Sequence, residues 1–221
     1  MGGFVFTIMR RKERYTYLLD HFRSKMPVVT TELEFGSVFQ LLVATVLSAQ
    51  CTDQRVNATT PELFRHYPDA RSMAAAEPED IFSLIKSVSY PNSKARYLVE
   101  LSQMIENDFN GEVPSTTEEL TRLPGVGRKT ANVVQAVWFN KPTLAVDTHV
   151  FRVSHRLGLV PPSANTPLKV ERELTKYIPK TDIPDAHHWL LLHGRYVCTS
   201  QRPKCNACDI ADVCPKIFTT K

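Results

Sequence analysis

The chain has 221 residues, 43% hydrophobic and 23% charged, which is room for one large domain or two small ones sharing an interface. Its formal net charge of +4 is too slight to imply a nucleic-acid partner by itself, although Arg128, Lys129, Arg152, Arg156, Arg195, Arg202 and Lys204 all fall in the second half. No stretch is long and apolar enough to span a membrane, and Phe4-Val5-Phe6-Thr7-Ile8-Met9 precedes Arg10-Arg11-Lys12, the reverse order of a secretory signal, so the expectation is a cytoplasmic protein, with Met9 an alternative start.

Arg10 to Lys25 has the spacing of an amphipathic helix, with Tyr17, Leu18 and Phe22 as its candidate buried face. Ser37-x-x-Gln40 has the form of a capping box for a helix ending near Ser48. Val38, Phe39, Leu41, Leu42, Val43, Val46 and Leu47 spread around nearly its whole circumference, so that helix is expected to be central and buried. It ends in Leu47-Ser48-Ala49-Gln50-Cys51-Thr52-Asp53, where Thr52 or Asp53 caps the next helix and Gln50 reads plainly as a surface amide. Short helices follow: Asp53 to Ala58, Pro61 to Tyr67 with Pro61 in the first helical position, Ala70 to Ala76, and Glu79 to Ser87. Beyond Ser87-Val88-Ser89-Tyr90-Pro91, Asn92 is the expected N-cap of a helix whose face is Ala95, Leu98, Leu101, Ile105 and Phe109, ending at Gly111. Thr116-x-x-Glu119 is a second capping-box pattern.

The stretch that carries chemistry begins at Leu123-Pro124-Gly125-Val126-Gly127-Arg128-Lys129-Thr130-Ala131. Glycine tolerates the positive φ of a tight hairpin and a close backbone approach. The composition turns helical from Arg128 to Phe139, so the amides after the hairpin lie at a helix N-terminus, a site suited to a phosphate. Taken alone, Gly-x-Gly before a helix usually just joins two helices. Lys129 sharpens the reading, because a cation is disfavoured at the positive end of the helix dipole. It is either a solvated or phosphate-contacting lysine, or an amine biased toward its neutral, nucleophilic form. Asp147 lies eighteen residues on, beyond the Asn140-Lys141-Pro142 turn, as the expected N-cap of the next helix and a candidate to face Lys129 across the hairpin mouth.

That helix runs to about Leu157, before Gly158 and Pro161-Pro162 break the chain. Thr166-Pro167 starts another, to about Tyr177, and Asp185 to Val197 forms the last. The last contains His187, His188, Trp189 and His193, which are expected to pack rather than to bind metal. No strand-like alternation persists anywhere, so the predicted class is all-α.

Four of the five cysteines, Cys198, Cys205, Cys208 and Cys214, fall within seventeen residues in the pattern C-x6-C-x2-C-x5-C. Without a secretory signal, a four-thiolate metal site is the better reading than disulfides. The spacing by itself leaves tetrahedral zinc and an iron–sulfur cluster both open. Arg202 and Lys204 project from the first intercysteine loop toward any nearby phosphate, and Cys51 reads as a small packed side chain.

Leu123 to Ala131 followed by Val146-Asp147-Thr148-His149 resembles the helix-hairpin-helix, Gly-Pro-Asp superfamily of DNA glycosylases, and Lys129 places the chain with its endonuclease III branch. The resemblance covers nearly the whole chain. It implies a [4Fe-4S] cluster on the four cysteines. It implies two helical lobes with a DNA groove between them: a six-helix domain over residues 31–141, and a cluster domain from residues 1–30 and 142–221. Leu47-Ser48-Ala49-Gln50 also matches the family, which uses the glutamine to fill the gap left by an extruded nucleotide. An amide suits that task because it both donates to and accepts from an orphaned base. Asn92-Ser93-Lys94-Ala95 matches as well, but the apolar wedge that normally stands just upstream is replaced by Tyr90-Pro91. Tyr90 is therefore either a ring that stacks on a base or one that packs against its own loop.

The implied function is a bifunctional glycosylase and abasic-site lyase excising oxidised pyrimidines. Lys129 is the implied nucleophile and Asp147 stabilises the cationic sugar. Gln50, Tyr90, Gly125, Val126, Gly127, Arg128, Arg202 and Lys204 contact the DNA. The expected partner is double-stranded DNA holding damaged bases or abasic sites, bound by a monomer, and the cluster shapes and charges a binding loop. Two alternatives are a monofunctional adenine-type glycosylase, which lacks a lysine at position 129 and normally carries a further C-terminal domain, and a non-catalytic DNA-binding iron–sulfur protein. Lys129 and a chain ending at Lys221 argue against the first, and Lys129 with Asp147 argues against the second.

Overall fold

The structure, a computed structural model, describes residues 9–218; the segment from Phe4 to Ile8 lies outside them. Helices α1 (Arg11–Lys25), α2 (Val38–Leu47), α3 (Asp53–His66), α4 (Ala70–Ala74), α5 (Pro78–Ile85) and α6 (Pro91–Asp108) lead to the one-turn α7 (Thr117–Leu120). Then come α8 (Arg128–Val137), α9 (Thr148–Arg156), α10 (Pro167–Tyr177) and α11 (Ile183–Tyr196), with short 3-10 turns at Lys180–Asp182 and Cys205–Ala207. Among the described residues there is no strand, so the class is all-α. No helix among them is long and apolar enough to cross a membrane. The chain divides into two compact units, one of Thr31–Thr143 and the other of the chain up to Thr30 together with that from Leu144 onward.

The Thr31–Thr143 unit is built around α2. Phe39, Leu41, Leu42, Val43, Ala44, Val46 and Leu47 are all buried, and α3, α6 and α8 pack against them. A helix that is apolar all round has no face to give to water, so it takes the centre. Ser37 caps it, its hydroxyl accepting from the Gln40 N–H at 3.2 Å. The Gln40 side chain reaches one residue further back than a capping box requires, to the Gly36 N–H at 2.7 Å.

Two expectations for this unit are corrected. Asp53–His66 is one helix with Pro61 inside it, not two. An interior proline forfeits one helical hydrogen bond, but Val56, Thr59, Thr60 and Leu63 bury a single face running through it, and that burial holds both halves in register. The N-cap of α6 is Tyr90, not Asn92. Pro91 brings its fixed φ to the first helical position, so the helix starts there. Ala95, Leu98, Leu101 and Ile105 then form the buried face, and Lys94 is buried with them.

In the other unit Trp189 is almost wholly enclosed, and its indole N–H donates to the Met26 carbonyl at 3.0 Å. Tyr15, Leu18, Leu19 and Phe22 of α1 enter this core; Tyr17, expected there, is exposed, because the helix turns the neighbouring Arg14–Tyr15 pair inward instead. Helices α9 and α11 pack closely at Gly194, where a β-carbon would fall 2.9 Å from His149 Cβ. His187 and His188 are buried, as packing residues should be. Burial, reinforced by the charge of His187 beside it, lowers the His188 pKa to about 3, so it is carried neutral.

Candidate active site and cysteine cavity

The hairpin is closed by the Val126 N–H donating to the Leu123 carbonyl at 3.0 Å, with Val126 buried as its apolar anchor. The two glycines do different work. Gly125 has φ +76, and a β-carbon there would meet the Tyr97 ring at 2.9–3.0 Å. Gly127 sits in extended backbone as the N-cap of α8, with open space where a β-carbon would point. Its amide and those of Arg128 and Lys129 open the helix, and both of these cations are exposed. An exposed glycine turn ending at the positive end of a helix offers a phosphate a bare backbone.

The rest of α8 is fixed from inside the unit. Gln135 donates to the Thr117 hydroxyl at 2.9 Å, and the Lys141 ammonium holds the Ser115 carbonyl and, at 3.0 Å, its hydroxyl. Lys129 therefore rides on a helix whose opposite face (Ala131, Asn132, Val134, Gln135) is locked. A reacting group needs that rigidity to hold its geometry.

Asp147 is the N-cap of α9, with Oδ1 accepting from the Val150 N–H at 2.8 Å. One carboxylate oxygen is committed to the cap.

Gln50 and Tyr90 both have left-handed backbone, φ 56 and 55, rare for residues with side chains. Their loops are joined where the Ser89 hydroxyl donates to the Gln50 carbonyl at 2.7 Å. Both residues are exposed, Tyr90 at 63%.

In the other unit all four cysteines of the C-terminal cluster are free thiols lining one cavity, together with Arg156, His193, Lys204 and Lys216. Among the described residues no group of three or more His, Cys, Asp and Glu side chains is arranged to hold a metal ion. The cavity nonetheless suits a thiolate-bound cluster. Its lining contributes the Arg156 guanidinium 3.5 Å from Cys198 Sγ and the Lys216 N–H 3.3 Å from Cys214 Sγ. Donors to sulfur are among the means by which a protein stabilises such a group. Burial raises the thiol pKa of Cys208 and Cys214, so forming thiolates there calls for a cationic partner.

Arg152 and Arg156 are structural ties rather than surface cations. Arg152 donates to the carbonyls of Cys198 and Gly194 at 3.2 and 2.9 Å, and Arg156 to those of Thr199 and Ser200 at 2.6 and 2.8 Å. Their i, i+4 spacing on α9 put both on one face, the signal that they act together. Arg202 and Lys204 remain exposed on the loop these ties support. Lys94 was missed as a functional candidate, although its place four residues before Leu98 put it on the inner face of α6.

The sequence model of the HhH-GPD superfamily of base excision DNA repair proteins matches residues 43–180. Endonuclease III of Synechocystis is 43% identical over 97% of this chain and 98% of its own length, and that of Escherichia coli 42% over 92% and 95%. A solved structure of a trapped endonuclease III–DNA covalent intermediate matches with a TM-score of 0.88 and 42% identity, covering 94% of this chain and 97% of that one. With a family model spanning most of the chain and near-full-length relatives above 40% identity, the chain belongs to the endonuclease III family of the HhH-GPD superfamily.

Proposed function

We propose that this member of the family is a bifunctional DNA glycosylase and abasic-site lyase that removes oxidised pyrimidines from double-stranded DNA. The observation that carries the reading is an exposed lysine in the first turn of a rigidly held helix, directly after a glycine hairpin. A similar protein has been captured covalently joined to DNA, and covalent capture requires a nucleophile on the protein. In this chain Lys129 fills that role.

The target nucleotide leaves the stack at a cost of about a few kcal/mol, least at damaged pairs. The hairpin amides and Arg128 hold phosphate, Gln50 fills the vacated place and Tyr90 stacks beside it. The Lys129 amine forms a bond to C1′ while the glycosidic bond breaks and the base departs with its electron pair and a proton. Asp147 stabilises the positive charge developing on the sugar. Loss of the amine proton and opening of the sugar ring leave an iminium between Nζ and C1′. Loss of a C2′ proton then expels the 3′-phosphate, cutting the strand on that side, and water releases Lys129 from the unsaturated aldehyde.

Cys198, Cys205, Cys208 and Cys214 are proposed to hold a [4Fe-4S] cluster. When bound, it crosslinks four chain positions and shapes the loop that carries Arg202 and Lys204. Action on DNA as a monomer in the cytoplasm completes the proposal.

Borohydride reduction tests it. The parent protein should yield a covalent adduct with lesion DNA, and Lys129→Gln should lose both adduct and strand cleavage while keeping substantial affinity. A Lys129 serving only as a phosphate contact would instead give weaker, more salt-sensitive binding without selective loss of chemistry. A Lys129→Gln protein that still forms the adduct at the parent rate would sink the assignment.

A further inference from the structure

We infer that Lys94 is a positioning residue for lesion recognition, an internal ammonium staple that sets the backbone leading into Gln50, to which the Tyr90 loop is tied through Ser89. The inference rests on the reading of Gln50 as the group that fills the vacated place in the duplex.

Lys94 is only 5% exposed. Its Nζ donates to the carbonyls of Leu47 and Ala49, each at 2.7 Å, which are the last turn of α2 and the residue before Gln50. Carbonyls at a helix C-terminus have no partner within the helix and carry the negative end of its dipole, so a cation is the matching donor. Desolvation lowers the lysine's pKa, partly opposed by nearby Cys51, so the burial works against the charge and the ammonium takes the two carbonyls as acceptors.

The same residue anchors the second loop. Its backbone N–H donates to the Tyr90 carbonyl at 3.2 Å, closing the first turn of α6 behind that strained residue. The Ser89 hydroxyl then bridges to the Gln50 carbonyl at 2.7 Å. Two left-handed residues, each costly by itself, are thus tied together through Lys94, whose side chain holds the approach to Gln50 and whose amide holds Tyr90, and through one hydroxyl. A lysine used only to fill the core would need no carbonyls from a neighbouring loop. This one takes both of its acceptors on the approach to Gln50.

The test compares Lys94→Met, Ser89→Ala, Gln50→Ala and the Lys94→Met/Gln50→Ala double variant, all as the holoprotein. Single-turnover cleavage is measured on a duplex with one oxidised pyrimidine and on the same lesion strand alone. The single strand has no opposing base and no gap to fill. Lys94→Met should cleave the single strand like the parent and the duplex about tenfold more slowly, as a misplaced recognition group would. The double variant should be no slower than the worse single variant, since both act through one contact. Ser89→Ala should show the same duplex-selective loss at about threefold, one hydrogen bond's worth.

Equal losses on both substrates, parent-like cleavage of the duplex, or additive losses in the double variant would overturn the staple. Should Lys94→Met not fold, Ser89→Ala decides, because it opens no buried site; if it matches the parent on duplex, the proposal is overturned. A duplex-selective loss in Gln50→Ala without one in Lys94→Met overturns the staple and leaves gap filling intact. The absence of such a loss in Gln50→Ala removes gap filling itself, and the staple with it.

Discussion

Tyr97 lies against the hairpin at Gly125 so closely that a β-carbon on residue 125 would fall 2.9 Å from its Cδ2. Gly125 is therefore required twice, by that contact and by its φ of +76. Gly127 is required by neither. Gly125→Ala should be destabilised by more than about 1–2 kcal/mol, the left-handed cost alone, and should bind lesion DNA weakly. Gly127→Ala should melt with the parent yet lose affinity, because its methyl enters the open space assigned to phosphate. Thermal melting and titration with fluorescent duplex check both. Parent-like affinity in Gly127→Ala would take that amide out of the DNA contact.

Much of this was legible before the fold was known, for identifiable reasons. Caps at Ser37, Thr116, Asp147 and Thr166 were readable because an N-cap is a local event between a side chain and an amide three residues on. The buried α2 was readable because no polar face interrupts it. Pro61 misled because the lost hydrogen bond is local while the burial of Val56 and Leu63 that offsets it is tertiary. Arg152 and Arg156 misled in the same way: charge is visible in a sequence, but carbonyl partners more than forty residues away are not. Lys94 was hidden by the habit of assigning lysine to the surface.

The cysteine cavity predicts an iron-containing protein. Anaerobically purified material should be brown, with about four irons and four sulfides per chain. Stoichiometric zinc without sulfide, in protein made with ample iron, would sink the cluster. Cys208→Ser should lose iron together with solubility or DNA affinity, since the loop of Arg202 and Lys204 loses its crosslink. An iron-free variant that binds DNA normally would show that Arg152 and Arg156 suffice to hold the loop.

His188 predicts acid sensitivity. Its folded pKa is about 3, against 6.5 for a free histidine. Below pH 6.5 the unfolded chain takes a proton that the folded one refuses. Its stabilising effect is therefore full above pH 6.5 and is lost as pH falls toward 3. Between pH 7 and pH 5 this amounts to about 2 kcal/mol. Urea denaturation of His188→Met should show that much less loss over the same interval than the parent. An unchanged loss would place the acid sensitivity elsewhere.

Asp147 has two roles that one substitution can separate. Its Oδ1 caps α9 through the Val150 N–H, and its charge is proposed to act on the sugar. Asparagine caps a helix about as well as aspartate but carries no charge. Asp147→Asn should therefore melt close to the parent while base excision slows by roughly 10²–10⁴-fold, the range of a positioned acid–base or electrostatic group. Asp147→Ala should lose the chemistry and also about 1 kcal/mol of stability, since the Val150 amide loses its acceptor. In a chain of this size that loss lowers the melting temperature by about 2–4 °C. Strand cleavage at a preformed abasic site should suffer less than base excision in both variants, because there the base has already gone and less positive charge develops at C1′. If Asp147→Asn excises bases at the parent rate, the carboxylate is a cap and nothing more, and the cationic sugar must be stabilised by another group.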